Sequence, residues 1–106
     1  MALITWLFQR ITGVVLFLGL LIHFFVMHYT GEHQLSYEVV KERLGSPLWK
    51  TFDLAFLVSV LYHGFNGLWG IVTEYTKRGV FRRLLYTVIL VSVSLLLVTG
   101  IKIILL

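Results

Sequence analysis

The sequence contains no cysteine and a single proline among its 106 residues. Without cysteine the chain can form neither disulfides nor thiolate-held iron–sulfur clusters, so nitrogen or oxygen must hold any metal that it binds. Charge is also scarce, because Asp, Glu, Lys and Arg together make up only 13% of the residues. With 58% hydrophobic residues, the chain is more apolar than soluble domains of this length, which indicates a membrane protein.

Three long apolar runs account for most of the chain. Each has the roughly 20 residues that a helix needs to cross a hydrocarbon core about 30 Å thick. The predicted fold class is therefore an all-α membrane protein with three transmembrane helices, at about 5–29, 50–75 and 84–106. We find no internal repeat and no domain boundary, so residues 1–106 are expected to form a single membrane domain.

The charged residues lie mainly in the two polar connections between these runs. The first connection mixes both signs, whereas the second is crowded with the basic residues Lys77, Arg78, Arg82 and Arg83. The positive-inside rule then predicts that the N-terminus and the second connection face the cytoplasm or matrix. Because the basic residues flank apolar spans, the net charge of +4 indicates orientation in a membrane and no nucleic-acid partner.

The first connection has the pattern of a short amphipathic helix at about 36–44. Ser36 is a suitable N-cap, apolar residues recur on one face, and Pro47 follows the end of the segment. We expect this helix to lie along the membrane interface. Because three short helices leave inward-facing polar residues unsatisfied in lipid, we also expect a partner chain that completes a helical bundle.

A polar stripe runs through the middle of the second apolar run. Measured at 100° per residue from His63, four positions lie within about 40° of it, namely Ser59, Gly67, Gly70 and Glu74. The glycines remove side-chain bulk beside the histidine, so a flat ligand or another backbone can come close. Two interpretations stay open: a packing seam in which His63 bonds to a neighbouring helix, or axial ligation of haem iron by neutral imidazole.

The first apolar run repeats this arrangement. Thr12 and Gly19 lie within about 40° of His23, which makes His23 a second candidate haem ligand. His28 lies about 140° away around the helix and close to its outer end, so we interpret it as an interface residue. Arg10, near the inner end, could anchor the helix to lipid phosphates or bind haem propionates or a quinone carbonyl.

The pair Glu74 and Tyr75 ends the second apolar run. A tyrosine at a membrane surface commonly belongs to the aromatic belt. A phenol beside a carboxylate also suits a quinone, since the hydroxyl can donate to a carbonyl oxygen and the acid can deliver protons.

Four segments, taken in order, resemble the small haem-bearing membrane-anchor subunits of succinate dehydrogenase (succinate:quinone oxidoreductase, respiratory complex II). They are WLFQRITGVVLF and LIHFF in the first run, SYEVV in the first connection, and LYHGFNGLWGIVTEY in the second run. The last segment is similar to the family pattern H-(A/G)-x-x-G-(hydrophobic)…(D/E)-Y. The resemblance covers nearly the whole chain. The length of the chain and its three apolar runs also agree with the family.

The resemblance implies a role for each candidate residue. His63 matches the haem b ligand on the second helix, and Tyr75 matches the tyrosine that hydrogen-bonds quinone near the iron–sulfur subunit. Glu74 stands where the family commonly has aspartate. Arg10 matches an arginine near the haem propionates and the quinone pocket, and His23 matches a histidine found in two-haem members.

The resemblance also implies a function and partners. The chain would be a haem b-binding anchor of the two-haem type that passes electrons from an iron–sulfur subunit to membrane quinone. One or two haems would be shared with a second membrane-anchor subunit, and a flavoprotein subunit would oxidise succinate, so this chain would not catalyse that oxidation itself. The complex would lie in a bacterial or archaeal cytoplasmic membrane, or a mitochondrial inner membrane, surrounded by lipid.

Depth along the helices separates the two candidate ligands. If Trp6 and Tyr75 share the inner surface, His63 lies about 18 Å deep and His23 about 25 Å deep at 1.5 Å per residue. We therefore expect them to serve different irons, and a single haem held by both is the alternative. The sequence departs from the family at Trp6, where one of the two anchor chains has a quinone-binding serine. The alternatives are a haem-free structural anchor, and a cytochrome b anchor of fumarate reductase or another membrane oxidoreductase.

Overall fold

The structure, a computed structural model, describes residues 2–29 and 36–105. These residues form four helices, α1 (Leu3–Tyr29), α2 (Tyr37–Gly45), α3 (Pro47–Tyr75) and α4 (Val80–Leu105), and within them there is no strand. Because α1, α3 and α4 are long and apolar enough to cross a membrane, the predicted fold class is confirmed. Residues 30–35 of the first connection, and the last residue of the predicted third helix, lie outside the described residues.

The helix bounds differ most from the predicted ones at the starts of α3 and α4. Helix α3 begins at Pro47, three residues early, because the first N–H groups of a helix have no intrahelical partner and proline loses nothing there. Helix α4 begins at Val80, four residues early, and so includes Arg82 and Arg83 of the second connection. The short helix α2 follows Ser36, whose hydroxyl accepts a hydrogen bond from Val39 N at 3.4 Å.

Helix α3 lies at the centre of the chain, with α1 and α4 packed against it and α2 near its start. Glycines on α1 and α4 leave room for side chains of α3. A Cβ on Gly19 of α1 would lie 2.5 Å from the ring of Phe56, and a Cβ on Gly100 of α4 would lie 2.6 Å from Leu57. Such close approach through small residues is how helices associate in lipid, where apolar packing gains nothing from excluding water.

Very little of the chain is buried within itself. Among the described residues only Gly19, Val72 and Ile104 are buried. In the most apolar stretch of each membrane-spanning helix, 6% of the residues are buried. A water-soluble domain could not fold with so small a core, because the loss of chain entropy would exceed the gain from burial. The large apolar surface must therefore be covered by lipid or by other protein chains.

Charged side chains bind the helix ends of the α3–α4 pair. The Arg82 guanidinium donates to the carbonyl oxygens of Thr73, at 2.7 Å, and Thr76, and to the Thr76 hydroxyl at 3.1 Å. These carbonyls belong to the last turn of α3, where intrahelical donors are lacking. At the opposite end of the pair, the Lys50 ammonium donates to the carbonyl oxygen of Ile104 at 3.4 Å. At each end of the pair, a charged side chain of one helix thus bonds a carbonyl at the end of the other.

The turn between α3 and α4 contains only residues 76–79. Gly79 has φ of +148°, a conformation that residues with a side chain rarely adopt. The glycine and the Arg82 hydrogen bonds together explain why a turn this short can reverse the chain.

Replacing Arg82 by glutamine should destabilise the α3–α4 pair by about 1.5–3 kcal/mol, because hydrogen bonds from a charged donor to the end of α3 are lost. The matched control is Arg83→Gln, which removes the same charge from an exposed neighbour. Unfolding of the purified complex by SDS, followed by circular dichroism, measures both. Equal destabilisation by the two changes would show that charge alone, and not the bonds to α3, matters here.

Candidate functional site

His63 lies where α1 and α3 pack together. Its Nδ1 is 3.3 Å from the hydroxyl oxygen of Thr12, and a Cβ on Gly13 would lie 3.4 Å from its Cε1. The imidazole is partly buried and lies against α1 at Gly13, a position without a side chain. Helix α1 therefore contacts this ring at two points, through Thr12 and Gly13, so the ring packs against protein and not only against lipid.

Two carboxamides extend this polar contact toward the N-terminal end of α1 and the C-terminal end of α3. Asn66 donates through Nδ2 to Gln9 Oε1 at 2.9 Å, and Gln9 donates through Nε2 to the His63 carbonyl oxygen at 3.4 Å. We call Gln9, Thr12, His63 and Asn66 the polar seam. In lipid, each of these groups would cost free energy if it lacked a partner, so the seam fixes the register of α1 on α3.

A cavity of about 680 Å³ opens beside the polar seam. This volume is within the range of small-molecule and cofactor sites, and the wall combines apolar side chains with a few polar groups, as such sites do. The Arg10 guanidinium lies over the ring of Trp6 at 4.9 Å. The lining residues are Trp6, Gln9, Arg10, Gly13, Val14, Phe17, Leu18 and His63. The predicted site residues Arg10 and His63 thus border one cavity.

His23 lies in a different environment, toward the C-terminal end of α1 and the N-terminal end of α3. Its ring stacks on Phe56 with 5.9 Å between centroids and an interplanar angle of 1°. It lines a second cavity of about 380 Å³ together with Asp53 and Arg43. The space beside Gly19 is filled by Phe56, so this glycine serves helix packing, and its position on the His23 face does not by itself indicate room for a macrocycle.

The two histidines are at different levels along α3. His23 contacts Phe56, which precedes His63 by seven residues, or about 10 Å along the helix axis. The expectation that they would serve different irons is compatible with this spacing and stays a prediction.

The candidate quinone residues lie at the C-terminal end of α3. Tyr75 is 80% exposed in the last turn of α3, and Glu74 lines a third cavity of about 610 Å³ with Gln9 and Asn66. Because α1 and α3 are antiparallel with Gln9 opposite Asn66, the Arg10 backbone lies about 15 Å from the level of Tyr75. The stacking of the Arg10 guanidinium on Trp6 shortens this axial separation to about 9 Å. Gln9 borders both this cavity and the one beside His63.

The glycines of α3 surround His63 less closely than the one on α1. A Cβ on Gly67 would lie 3.5 Å from Gln9 Nε2, an ordinary contact, while Gly64 and Gly70 have open space beside them. Gly13, which the sequence patterns did not single out, makes the close approach to the ring. Sequence reasoning also grouped Thr12 with His23, whereas its hydroxyl contacts His63.

The remaining histidine of the described helices, His28, is exposed, and its Nδ1 lies 3.0 Å from the Phe24 carbonyl oxygen of its own helix. Among the described residues, no three His, Asp or Glu side chains cluster to hold a bare metal ion. The site thus offers isolated imidazoles at a helix interface, which suits a cofactor that needs one protein ligand per face.

Replacing Gln9 by methionine should weaken the packing of α1 on α3, because the Asn66 amide would lose its partner in lipid. We expect Asn66→Leu in the same chain to recover most of the loss, with a coupling of about 0.6–2 kcal/mol. A double-mutant cycle, followed by SDS titration of the complex, measures this coupling. The control is Thr87→Val, because the Thr87 hydroxyl donates to the Arg83 carbonyl oxygen of its own helix. Strictly additive effects would mean that the Gln9–Asn66 bond contributes nothing.

Comparison with known proteins assigns the chain to a family. Residues 1–99 match the family described as succinate dehydrogenase/fumarate reductase transmembrane subunit. A succinate dehydrogenase hydrophobic membrane anchor subunit of Archaeoglobus fulgidus is 38% identical over 80 residues, which are 76% of this chain and 68% of that protein.

Two further relatives carry the same description. The one from Coxiella burnetii is 33% identical over 84 residues, covering 79% of this chain and 71% of its own. The one from Thermoplasma acidophilum is 36% identical over 67 residues, covering 62% and 54% respectively. Together with the three membrane-spanning helices, these matches show that the chain belongs to the family of succinate dehydrogenase transmembrane anchor subunits.

Proposed function

We propose that this membrane anchor binds haem b through His63 and helps to carry electrons from an iron–sulfur subunit to membrane quinone. The observation that carries the proposal is the placement of His63 between α1 and α3, held by Thr12 and Gly13, in the wall of a cavity that also contains Arg10. An imidazole in lipid costs free energy unless its nitrogens have partners, and axial ligation of iron supplies one.

The residues around His63 fit a haem. Gly13 lets the α1 backbone come close to the axial ring, apolar side chains of α1 form the cavity wall, and the Arg10 guanidinium can pair with a propionate. Bound haem would supply a one-electron carrier within the membrane. Among the described residues, His63 is the one imidazole at this level, so a further ligand for the haem would come from the other anchor subunit. That subunit would also close the open side of the cavity.

We also propose a second haem at His23, which makes the anchor a two-haem type. Support comes from the position of His23 in the wall of its own cavity, about 10 Å along α3 from the level of His63. Phe56 stacked on the imidazole would fix the plane of the ring.

Quinone would bind at the inner end of α3. The exposed Tyr75 hydroxyl would donate to a quinone carbonyl, Glu74 would deliver protons during reduction, and Arg10 could reach the same region from the Trp6 level. The chain offers only one side of such a pocket. Partner chains would supply the other.

The orientation follows from charge. The basic turn and the N-terminus would face the cytoplasm or matrix, where the cations near Arg78 and Arg83 would meet the iron–sulfur subunit or lipid phosphates. A flavoprotein bound to that subunit would oxidise succinate, and this chain would take no part in that chemistry. No nucleic acid is involved.

A haem-free structural anchor is the second candidate. It is favoured by the contact between Thr12 and His63, since a histidine hydrogen-bonded to a neighbouring helix needs no metal. Fumarate reduction is a further alternative, because the family includes subunits of both enzymes.

Replacing His63 by alanine should remove a low-spin bis-imidazole haem from the purified complex, as read from the Soret and α bands and a haem-to-flavin ratio. The matched control, His28→Ala, changes an exposed histidine and should leave the pigment unchanged. His23→Ala should remove a second, spectroscopically distinct haem if the anchor is a two-haem type. A complex in which His63→Ala retains the full spectrum would refute the ligand assignment, and a colourless wild-type complex would leave only the structural anchor.

Replacing Tyr75 by phenylalanine should lower succinate:quinone reductase activity by about 10- to 100-fold, because a hydrogen bond to the quinone is lost. Succinate oxidation with an artificial acceptor that takes electrons before the membrane should survive. Tyr37→Phe, on the exposed face of α2, is the control. Equal loss of both activities would count against a quinone role for Tyr75.

A further inference from the structure

The hydroxyl of Thr12 has three polar neighbours and only one proton. Its oxygen lies 2.7 Å from the Phe8 carbonyl oxygen, 3.2 Å from the Gln9 carbonyl oxygen and 3.3 Å from His63 Nδ1. Carbonyl oxygens only accept hydrogen bonds, so the proton of Thr12 points to the α1 backbone, mainly to Phe8 because that distance is shortest. Toward the imidazole, the hydroxyl oxygen therefore presents a lone pair.

A ring nitrogen that faces a lone pair must carry a proton. The contact therefore places the proton of neutral His63 on Nδ1 and leaves the lone pair on Nε2. We infer that Thr12 is a positioning residue for the haem ligand: its hydroxyl accepts from Nδ1–H, fixing the tautomer and the plane of the imidazole that binds iron through Nε2. This inference rests on the proposed function of His63.

Threonine suits this role better than most side chains. Its branched Cβ restricts χ1, and the bond to Phe8 O holds the hydroxyl in one rotamer, so the acceptor position is set before the histidine meets it. The next residue, Gly13, lies against Cε1 of the same ring. Two adjacent residues of α1 thus restrict both the translation and the rotation of the imidazole.

The hydrogen bond also bears on the reduction potential. An acceptor at the distal nitrogen makes a metal-bound imidazole a more basic ligand, and a more basic ligand stabilises ferric iron more than ferrous iron. Loss of the acceptor should raise the midpoint potential. A neutral hydroxyl at 3.3 Å is a weaker acceptor than a carboxylate, so we expect a change in the ferric-to-ferrous preference of up to about tenfold, or about 59 mV for one electron.

The test uses the complete purified complex with four variants of this chain. Thr12→Val keeps the shape and removes the hydroxyl, Thr12→Ser keeps the hydroxyl, and Thr12→Cys, which is close to serine in size, replaces the hydroxyl by a much weaker acceptor. Thr5→Val is the matched control on the same helix, since the Thr5 hydroxyl donates to the Ala2 carbonyl oxygen at 2.8 Å. Redox titration of the α band and low-temperature electron paramagnetic resonance follow the haem signal that His63→Ala removes.

We expect Thr12→Val to raise the midpoint potential and to broaden or shift the lowest-field resonance, because the plane of the ring is no longer fixed. Thr12→Ser and Thr5→Val should match the wild type, and Thr12→Cys should lie between serine and valine. The inference is overturned if Thr12→Val leaves both readouts unchanged, or if Thr5→Val shifts them equally.

The outcomes separate this inference from the proposal on which it rests. If His63→Ala leaves every haem signal intact, the ligand assignment fails and the role of Thr12 fails with it. If His63→Ala removes a signal that is insensitive to the Thr12 variants, only the positioning role fails. Should Thr12→Val not assemble, the comparison of Thr12→Cys with Thr12→Ser decides the question, since both keep a small side chain, and identical potentials would overturn the inference.

Discussion

The absence of water from the hydrocarbon core is the constraint on which this molecule depends. Helices satisfy their own backbones there, but a carboxamide, a hydroxyl or an imidazole needs a partner from another element. Gln9 and Thr12 of α1 meet His63 and Asn66 of α3 for this reason. With so few described residues buried inside the chain, these polar contacts, and not a hydrophobic core, give α1 a defined position.

The same constraint explains why the chain presents polar groups beside cavities that are open on one side. His63, Arg10 and Gln9 border a cavity with one open side, and Tyr75 and Glu74 are exposed at the end of α3. Each group has chemistry that a cofactor, a quinone or a partner chain can use, and the chain alone cannot enclose any of these. An anchor subunit of a larger complex is expected to show this division, because the partner chain supplies the missing walls.

Much of the fold could be predicted from the sequence, because hydropathy reports directly on which segments lipid accepts. The membrane-spanning runs and the cap at Ser36 needed no tertiary information. The site could be predicted less well. Helical angles show which residues share a face but not which helix meets that face, so Thr12 was grouped with His23 although it contacts His63. In the same way, Gly19 was matched to a flat ligand when Phe56 of α3 fills the space.

The four-residue turn closed by Gly79 and Arg82 has a consequence for biogenesis. A connection of this length keeps the end of α3 and the start of α4 at the same membrane face, so the two helices form a helical hairpin. By the positive-inside rule we expect the arginines beside the turn to oppose its translocation and to keep the closed end of the hairpin on the side where the chain is synthesised.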